Sequence, residues 1–462
     1  MKMEEANMKR IRPSRLLALV LALVMLLSVS LTAMAETAGT IKILTNVTGG
    51  KNEEEMALFA KALSDAIGAE VIMEKPAANY GDVLMNKLQA GEQYDLIYIS
   101  LQQLYDMQAD GILTDLTDLV KASPILGDPE VIPTEEWDQL TVDGRIWGGF
   151  NKTEVHRVVA VNKAVADKAG VDLEKVEPTL DGYYDLFKKL KEAGGEGFYA
   201  YCTHIPGLFD LQPWFASAGL RLGFARRDDG SLYVPIATEE AIPVWEWLKK
   251  LYDEGLMDPD SLTIGTGDMR NKMLAGNLGV VVDWAAWVGL YNTRAPENYP
   301  EKINAYAMGG TKNPDGNYML LRGDPSIWAV PVNAANPEGA LKVLEFMATQ
   351  EGGQLLSIGI EGHDWEMVEG KVKLTEVGVT HGMDHGAPVP TSRKYVNPVG
   401  WNPGFERAMT FMPYASLELT NSNTAAYKEI VAKYATEIIV GTKTAAEGIA
   451  AMDQELKERG II

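Results

Sequence analysis

From residue 40 onward, strand-like and helix-like segments alternate, and the alternation begins with two crossover units in succession. "TIKILTNV" reads as a strand and "EEEMALFAKALSDAIG" as an amphipathic helix whose apolar face is Met56, Phe59, Ala60 and Leu63. "AEVIME" is a second strand, "GDVLMNKLQAG" a helix, and "YDLIYIS" a third strand. A βαβαβ rhythm requires parallel strands joined by right-handed crossovers, so the fold class is α/β. The short helices "LQQLYDMQADG" and "LTDLTDLVKAS" follow, interrupted at Gly111 and at Ser123-Pro124.

The pattern then changes. In "DGRIWGGFNKTEVHRVVAVNK" a turn at Asp143-Gly144 leads into strands that follow one another directly, and "TLDGYYDLFKKLKEAGG" is a capped helix ending at glycine. "RRDDGSLYVPIATEE" reads as a hairpin around Asp229-Gly230, and "EEAIPVWEWLKKLYDEGL" as another helix. The tail beyond "AYKEIV" is two helices meeting at Gly441. A chain of 462 residues exceeds one ordinary core, and neither repeats nor a low-complexity linker separate its parts. The lobes are therefore expected to be joined by strands.

Residues 1–35 read as an export leader. Lys9, Arg10, Arg12 and Arg15 precede the apolar "LLALVLALVMLL", and Ala33-Met34-Ala35 is a cleavage site, with the mature chain starting near Glu36. The alternative is an uncleaved anchor reaching Leu31, and Met8 is an alternative start. The single cysteine, Cys202, lies far from the leader, so no lipobox cysteine is seen and no intramolecular disulfide can form. A formal charge of −22 repels nucleic acid and anionic lipid, leaving neutral or cationic small solutes, or another protein, as partners.

Enzymatic signatures are sparse. There is no GxSxG elbow, no Walker loop and no dinucleotide fingerprint; "GTGDMRNKM" lacks the third glycine. His381 and His385 in "HGMDHG" have a spacing that binds metal on a helix, but the flanking glycines and "APVP" read as an exposed loop, so neither metal nor cofactor is expected. Asp283 ends the apolar run "LGVVV" and reads as a helix N-cap; it is also the best candidate for one of a catalytic pair of carboxylates. Trp147, Trp214, Trp284, Trp328 and Trp401 sit at segment junctions, where they either fill a core or line a cleft. Ligands of open α/β sheets lie beyond the carboxyl ends of strands, and flat aromatics suit the apolar faces of sugar rings.

The order of these segments resembles family 1 extracellular solute-binding proteins, the capture subunits of carbohydrate ABC importers. "YDLIYIS" with "LQQLYDMQADGILTDLTDLV" is similar to the family's pocket strand and following helices. "DGRIWGGFNKTEVHRVVAVNK" through "PTLDGYYDLFKKLKEAG" is similar to its first lobe crossing. "MLAGNLGVVVDWAAW" followed by "IWAVPVNAANPEGALKVLEFMATQEGGQ" is similar to the pocket tryptophan and the second crossing, and "SIGIEGHDWE" and the tail resemble Gram-positive oligosaccharide binders.

The resemblance implies a periplasmic-binding-protein-like fold: two α/β lobes, 36–154 with about 326–380 and 155–325 with about 392–462, joined by hinge strands around a ligand cleft. Trp284 falls on the family's sugar-stacking tryptophan, with Trp287 in the core; Tyr98 to Ser100 fall near a first-lobe contact and Phe209 near a second-lobe aromatic. Asn46, Asp283, Trp147, Trp214, Trp328 and Trp401 complete the expected ligand-binding set, and Trp365 is structural. The implied partners are a carbohydrate and membrane permease subunits, with the protein a monomer. The missing lipobox departs from the lipoprotein branch, and "GEGFYAY" stands where some relatives carry a calcium loop. Two other readings stay open: a secreted carbohydrate-active enzyme, and a receptor for a non-sugar solute.

Overall fold

The structure, a computed structural model, describes residues 39–50, 52–294, 303–385 and 388–462, so the expected leader lies outside the described residues. Two sheets organise it. In the first, Glu70–Glu74, Thr40–Leu44 and Leu96–Ile99 run parallel, as the crossover rhythm requires. Ser326–Ala329 is then wedged, antiparallel to both neighbours, between Leu96–Ile99 and the edge strand Gly149–Lys152. The second sheet has the order Ala305–Met308, Arg157–Asn162, Leu278–Trp284, Tyr199–Tyr201. Arg157–Asn162 is antiparallel to both its neighbours, and Tyr199–Tyr201 lies parallel to Leu278–Trp284.

Local chemistry fixes the helix ends. In the helix Glu53–Ile67 the Asn52 side chain accepts from the Glu55 amide, and Gly68, at φ 68°, closes the far end in the left-handed conformation that favours glycine. Met56, Phe59, Ala60 and Leu63 are buried along it, the face expected from the spacing. Ser100 and Gln103 form a capping box on Leu101–Ala109, so the end of the third strand turns directly into a helix. Thr179 caps Leu180–Gly194, and Thr424–Ile439 and Ala445–Glu458 form the C-terminal pair on either side of Gly441.

Each sheet has its own core. Ile41, Ile43, Leu96, Ile97, Ile99 and Trp328 belong to the first. Both faces of the second sheet are covered, Val159, Val161, Val280 and Val282 packing to one side and Val158, Ala160 and Val281 to the other. That is why "RVVAVN" and "LGVVV" are unbroken apolar runs. The chain passes between the sheets three times: from Lys152 to Arg157, from Leu321 to Ser326, and through the segment after Val389, whose carbonyl accepts from the Thr153 amide. On that last passage Arg393 still bonds to Val131 of the first body, while Pro403 accepts from Asn292 of the second.

Two local expectations are corrected. His381 to His385 of "HGMDHG" continue the helix Glu376–His385, where His381 Nδ1 lies 2.7 Å from Asp364 Oδ1; this tertiary contact accompanies helix in place of the expected loop. Asp283 lies within the strand Leu278–Trp284, and the next helix begins at Ala285, whose amide bonds to the His156 carbonyl.

Candidate functional site: a cleft between the two bodies

A cavity of about 720 Å³ opens where the bodies meet. The loop after the first strand supplies Asn46 to Gly50, and the first passage supplies Lys152 to Val155. Arg270, Trp284, Trp287 and Phe405 come from the second body, and Asn397 and Val399 to Asn402 from the third passage. From the first body's distal side, Leu355 to Ile360, Asp364 and His381 close the remaining wall.

The second-body wall rests on two arginines. The Arg157 guanidinium lies 4.4 Å from the ring centroid of Trp284 and 3.9 Å from that of Phe209, sandwiched between them. It donates to Asp210 Oδ1 at 2.5 Å; Asp210 is wholly buried, and burial pushes its carboxyl up to about 7 against the opposing pull of Arg157. Trp284 is Arg157's register partner, and three residues past it, in the following helix, the arrangement recurs: the Arg270 guanidinium lies 4.1 Å from the Trp287 ring. Arg270 is held by Asp283 through two bonds of 2.8 and 2.6 Å, with the Tyr291 hydroxyl donating to the same carboxylate at 2.7 Å. The two tryptophans at this junction are thus each backed by a guanidinium that a buried aspartate fixes in place. Trp284 is half-buried, and its outer edge meets Gly323, where an added Cβ would stand 2.9 Å from the ring.

The expected site residues divide accordingly. Asn46, Trp284 and Trp401 line the cleft, and Asn46 Oδ1 is buried with no hydrogen-bond partner among the described residues. Trp401 packs on Phe405, with ring centroids 5.0 Å apart. Trp287, read as core, is in the core and also reaches the cleft. Phe209 and Asp283 stand behind the wall; Asp283 is fully buried in its pair with Arg270, as neither an N-cap nor an accessible acid. Trp214 is sealed in the second core, donating to the Tyr201 hydroxyl at 2.7 Å, and Trp328 is sealed in the first. Burial of large aromatics outweighed their position at segment junctions. Trp147 bonds to the Val142 carbonyl within the first body, Ser100 serves as a helix cap, and Tyr98 lies edge-on to Tyr80; none of these three lines the cavity. Trp365 bonds to the Gly359 carbonyl, a structural contact.

Sequence reasoning missed Arg157, Arg270, Lys152 and Glu154. Arg157 left a signal: it is a charge opening the buried strand "RVVAVN". Arg270 left none, because "TGDMRNKML" is an ordinary polar helix until its partner Asp283 is known.

Two α/β bodies joined by three passages, with an aromatic-walled cavity at their junction, define a solute-binding architecture. The chain matches the bacterial extracellular solute-binding proteins over residues 72–354, more than half its length, and belongs to that family. It is 25% identical over 361 residues, 72% of this chain and 68% of the relative, to lipoprotein LipO of Bacillus subtilis (strain 168). Among solved structures it is similar to the sugar-binding protein MalE of Xanthomonas citri, with a TM-score of 0.68 and 14% identity over 91% of this chain and 96% of that one. The ABC substrate-binding protein Lmo0181 of Listeria monocytogenes, in complex with cycloalternan, superposes with a TM-score of 0.65 and 16% identity over 91% and 99% of the two chains. At these identities the structural likeness concerns the fold.

Proposed function

We propose that this protein captures a carbohydrate, most simply an oligosaccharide, and delivers it intact to the permease of an ABC importer. The observation that carries the reading is the cavity of about 720 Å³ between two bodies, walled by Trp284 and Trp401 on one side and by the Asn46 loop on the other. Its volume lies in the upper part of the range of about 300–1,000 Å³ typical of small-molecule sites, room for more than one sugar ring. The indole faces suit the apolar faces of the rings, and the unpartnered Asn46 Oδ1 suits a hydroxyl donor. The sugar ligands of similar binding proteins, cycloalternan and β-1,6-galactobiose among them, support the same class.

A ligand touching both bodies favours their closed arrangement by the contacts it adds there, with the hinge at the three passages. The two lobes are 36–154 with about 326–380 and 155–325 with about 392–462. No bond is made or broken, the protein acts as a monomer, and it is exported by the leader at 1–35. Calorimetric titration with an oligosaccharide panel, paired with small-angle scattering, tests the reading. Binding is expected with a decrease in radius of gyration, and mass spectrometry is expected to recover the bound sugar unaltered. A shortened sugar would convert the proposal to that of an enzyme.

A further inference from the structure

We infer that the cleft is built for an uncharged ligand, and that it rejects both uronic acids and ammonium-bearing solutes. This rests on the carbohydrate reading above and narrows it to neutral saccharides. The whole chain carries a formal charge of −22, which by itself would favour a cationic guest. The cavity does not share that imbalance: three basic side chains, Lys75, Lys152 and Arg270, line it together with three carboxylates, Glu55, Glu154 and Asp364.

These groups are satisfied by the protein. Lys152 Nζ is 2.6 Å from Glu154 Oε1, and Arg270 is bound on two atoms by Asp283. Asp364 accepts from the Ile360 amide at 2.8 Å and faces His381 at 2.7 Å, and the other ring nitrogen of His381 lies 3.3 Å from Glu55. Lys75 donates to the Gly50 carbonyl at 3.1 Å. A carboxylate on the guest that drew Lys152 or Arg270 away would leave Glu154 or the buried Asp283 uncompensated, and one that drew Lys75 away would break its bond to the Gly50 carbonyl.

A cationic guest is opposed by the wall itself. Aromatic walls attract ammonium groups through the negative faces of their rings. Here each ring already engages a cation of the protein itself, Arg157 at 4.4 Å from Trp284 and Arg270 at 4.1 Å from Trp287, each paired with a buried aspartate, so that face of either ring is not left to attract an ammonium. Neutral hydroxyl groups incur neither penalty. Only the polar edges of the rings need partners, and Asn46 Oδ1 is one.

The test is titration of the full mature protein with three sets of ligands matched in length: neutral gluco-, xylo- and galacto-oligosaccharides; oligogalacturonates and alginate oligomers; and chitosan oligomers with glycine betaine. A neutral member is expected to bind with an affinity unchanged between low salt and 0.5 M NaCl, and its charged counterparts at least about 100-fold more weakly. Preference for an acidic or amino saccharide overturns the inference and leaves the carbohydrate reading standing. Binding of glycine betaine alone, or of no saccharide in any set, overturns both. Glu154→Gln supplies a second readout, since it frees Lys152: it is expected to raise the affinity for oligogalacturonate relative to the neutral sugar, and an unmoved ratio counts against the inference.

Discussion

Arg322 and Glu136 meet across the junction of the two bodies, with the two terminal guanidinium nitrogens 3.1 and 2.6 Å from the two carboxylate oxygens. Arg322 is anchored on the second body through its amide, which bonds to the Ser416 carbonyl, and Glu136 sits beside Trp137 of the first core. Both side chains are largely shielded, 14% and 17% exposed, and the geometry is a two-point fork. Glu136→Ala strips Arg322 of that partner and is expected to lower unfolding stability by about 1–3 kcal/mol, read by urea denaturation. An unchanged midpoint would mean that water replaces the carboxylate at no cost.

Trp284→Ala removes the indole from the cleft wall while leaving both cores intact. Sugar affinity is expected to fall by about 1–3 kcal/mol, with a melting temperature close to that of the parent. Calorimetry and thermal melting on the same samples separate the two effects. Equal affinity in both proteins would take Trp284 out of the site.

Gly323 tests the same ring at its edge. A Cβ there would stand 2.9 Å from Trp284 Cζ3 and 3.1 Å from Glu154 Cβ, so Gly323→Ala must displace the indole or the first passage. The expected outcome is a stability loss of about 1–3 kcal/mol together with a changed intrinsic tryptophan emission. An unaltered spectrum would mean that the backbone moves and the ring does not.

His156 makes the fold acid-sensitive. It is fully buried, Nε2 donating to the Ala408 carbonyl at 3.1 Å, and burial lowers its pKa to about 4. The unfolded chain, titrating near about 6.5, binds a proton more readily than the folded one. The neutral-imidazole contribution is therefore present above about pH 6.5 and is lost as pH falls towards 4, on the order of 3 kcal/mol in all. His156→Gln is expected to flatten the difference in stability between pH 7 and pH 4, measured by urea denaturation at each pH. Parallel curves for the two proteins would assign the acid sensitivity elsewhere.

Cys202 is buried, and burial pushes its thiol up to about 12. The folded protein is expected to resist a disulfide reagent at pH 8 and to react with one equivalent once denatured.

The sequence disclosed the fold better than the site, for a physical reason. The strand and helix periods of Thr40–Leu44, Glu53–Ile67 and Leu278–Trp284 are local properties, and each element is present with the expected type, the last strand running on through Asp283 to Trp284. Trp284 and Trp214 illustrate the converse. Both are tryptophans beside a strand or a turn, yet one is half-exposed at the cleft and the other is sealed against Tyr183, Phe187 and Tyr201. Side-chain direction at a junction is decided by which body arrives opposite, and that is a long-range event. Arg157 and Asp210 are 53 residues apart and Arg322 and Glu136 are 186 apart, so no window along the chain joins them. Asp283 stands out in the sequence by its place at the end of an apolar run; its partnership with Arg270 depends on a helix packing back against its own following strand.

The wedged position of Ser326–Ala329 bears on how the molecule comes into being. Its two neighbours in the sheet, Leu96–Ile99 and Gly149–Lys152, are made long before it, and they cannot be completed as a sheet until it arrives. A chain emerging from its amino end must therefore carry an unfinished first body until residue 329 of 462 has been delivered. Such sequence-distant pairing is intrinsically slow.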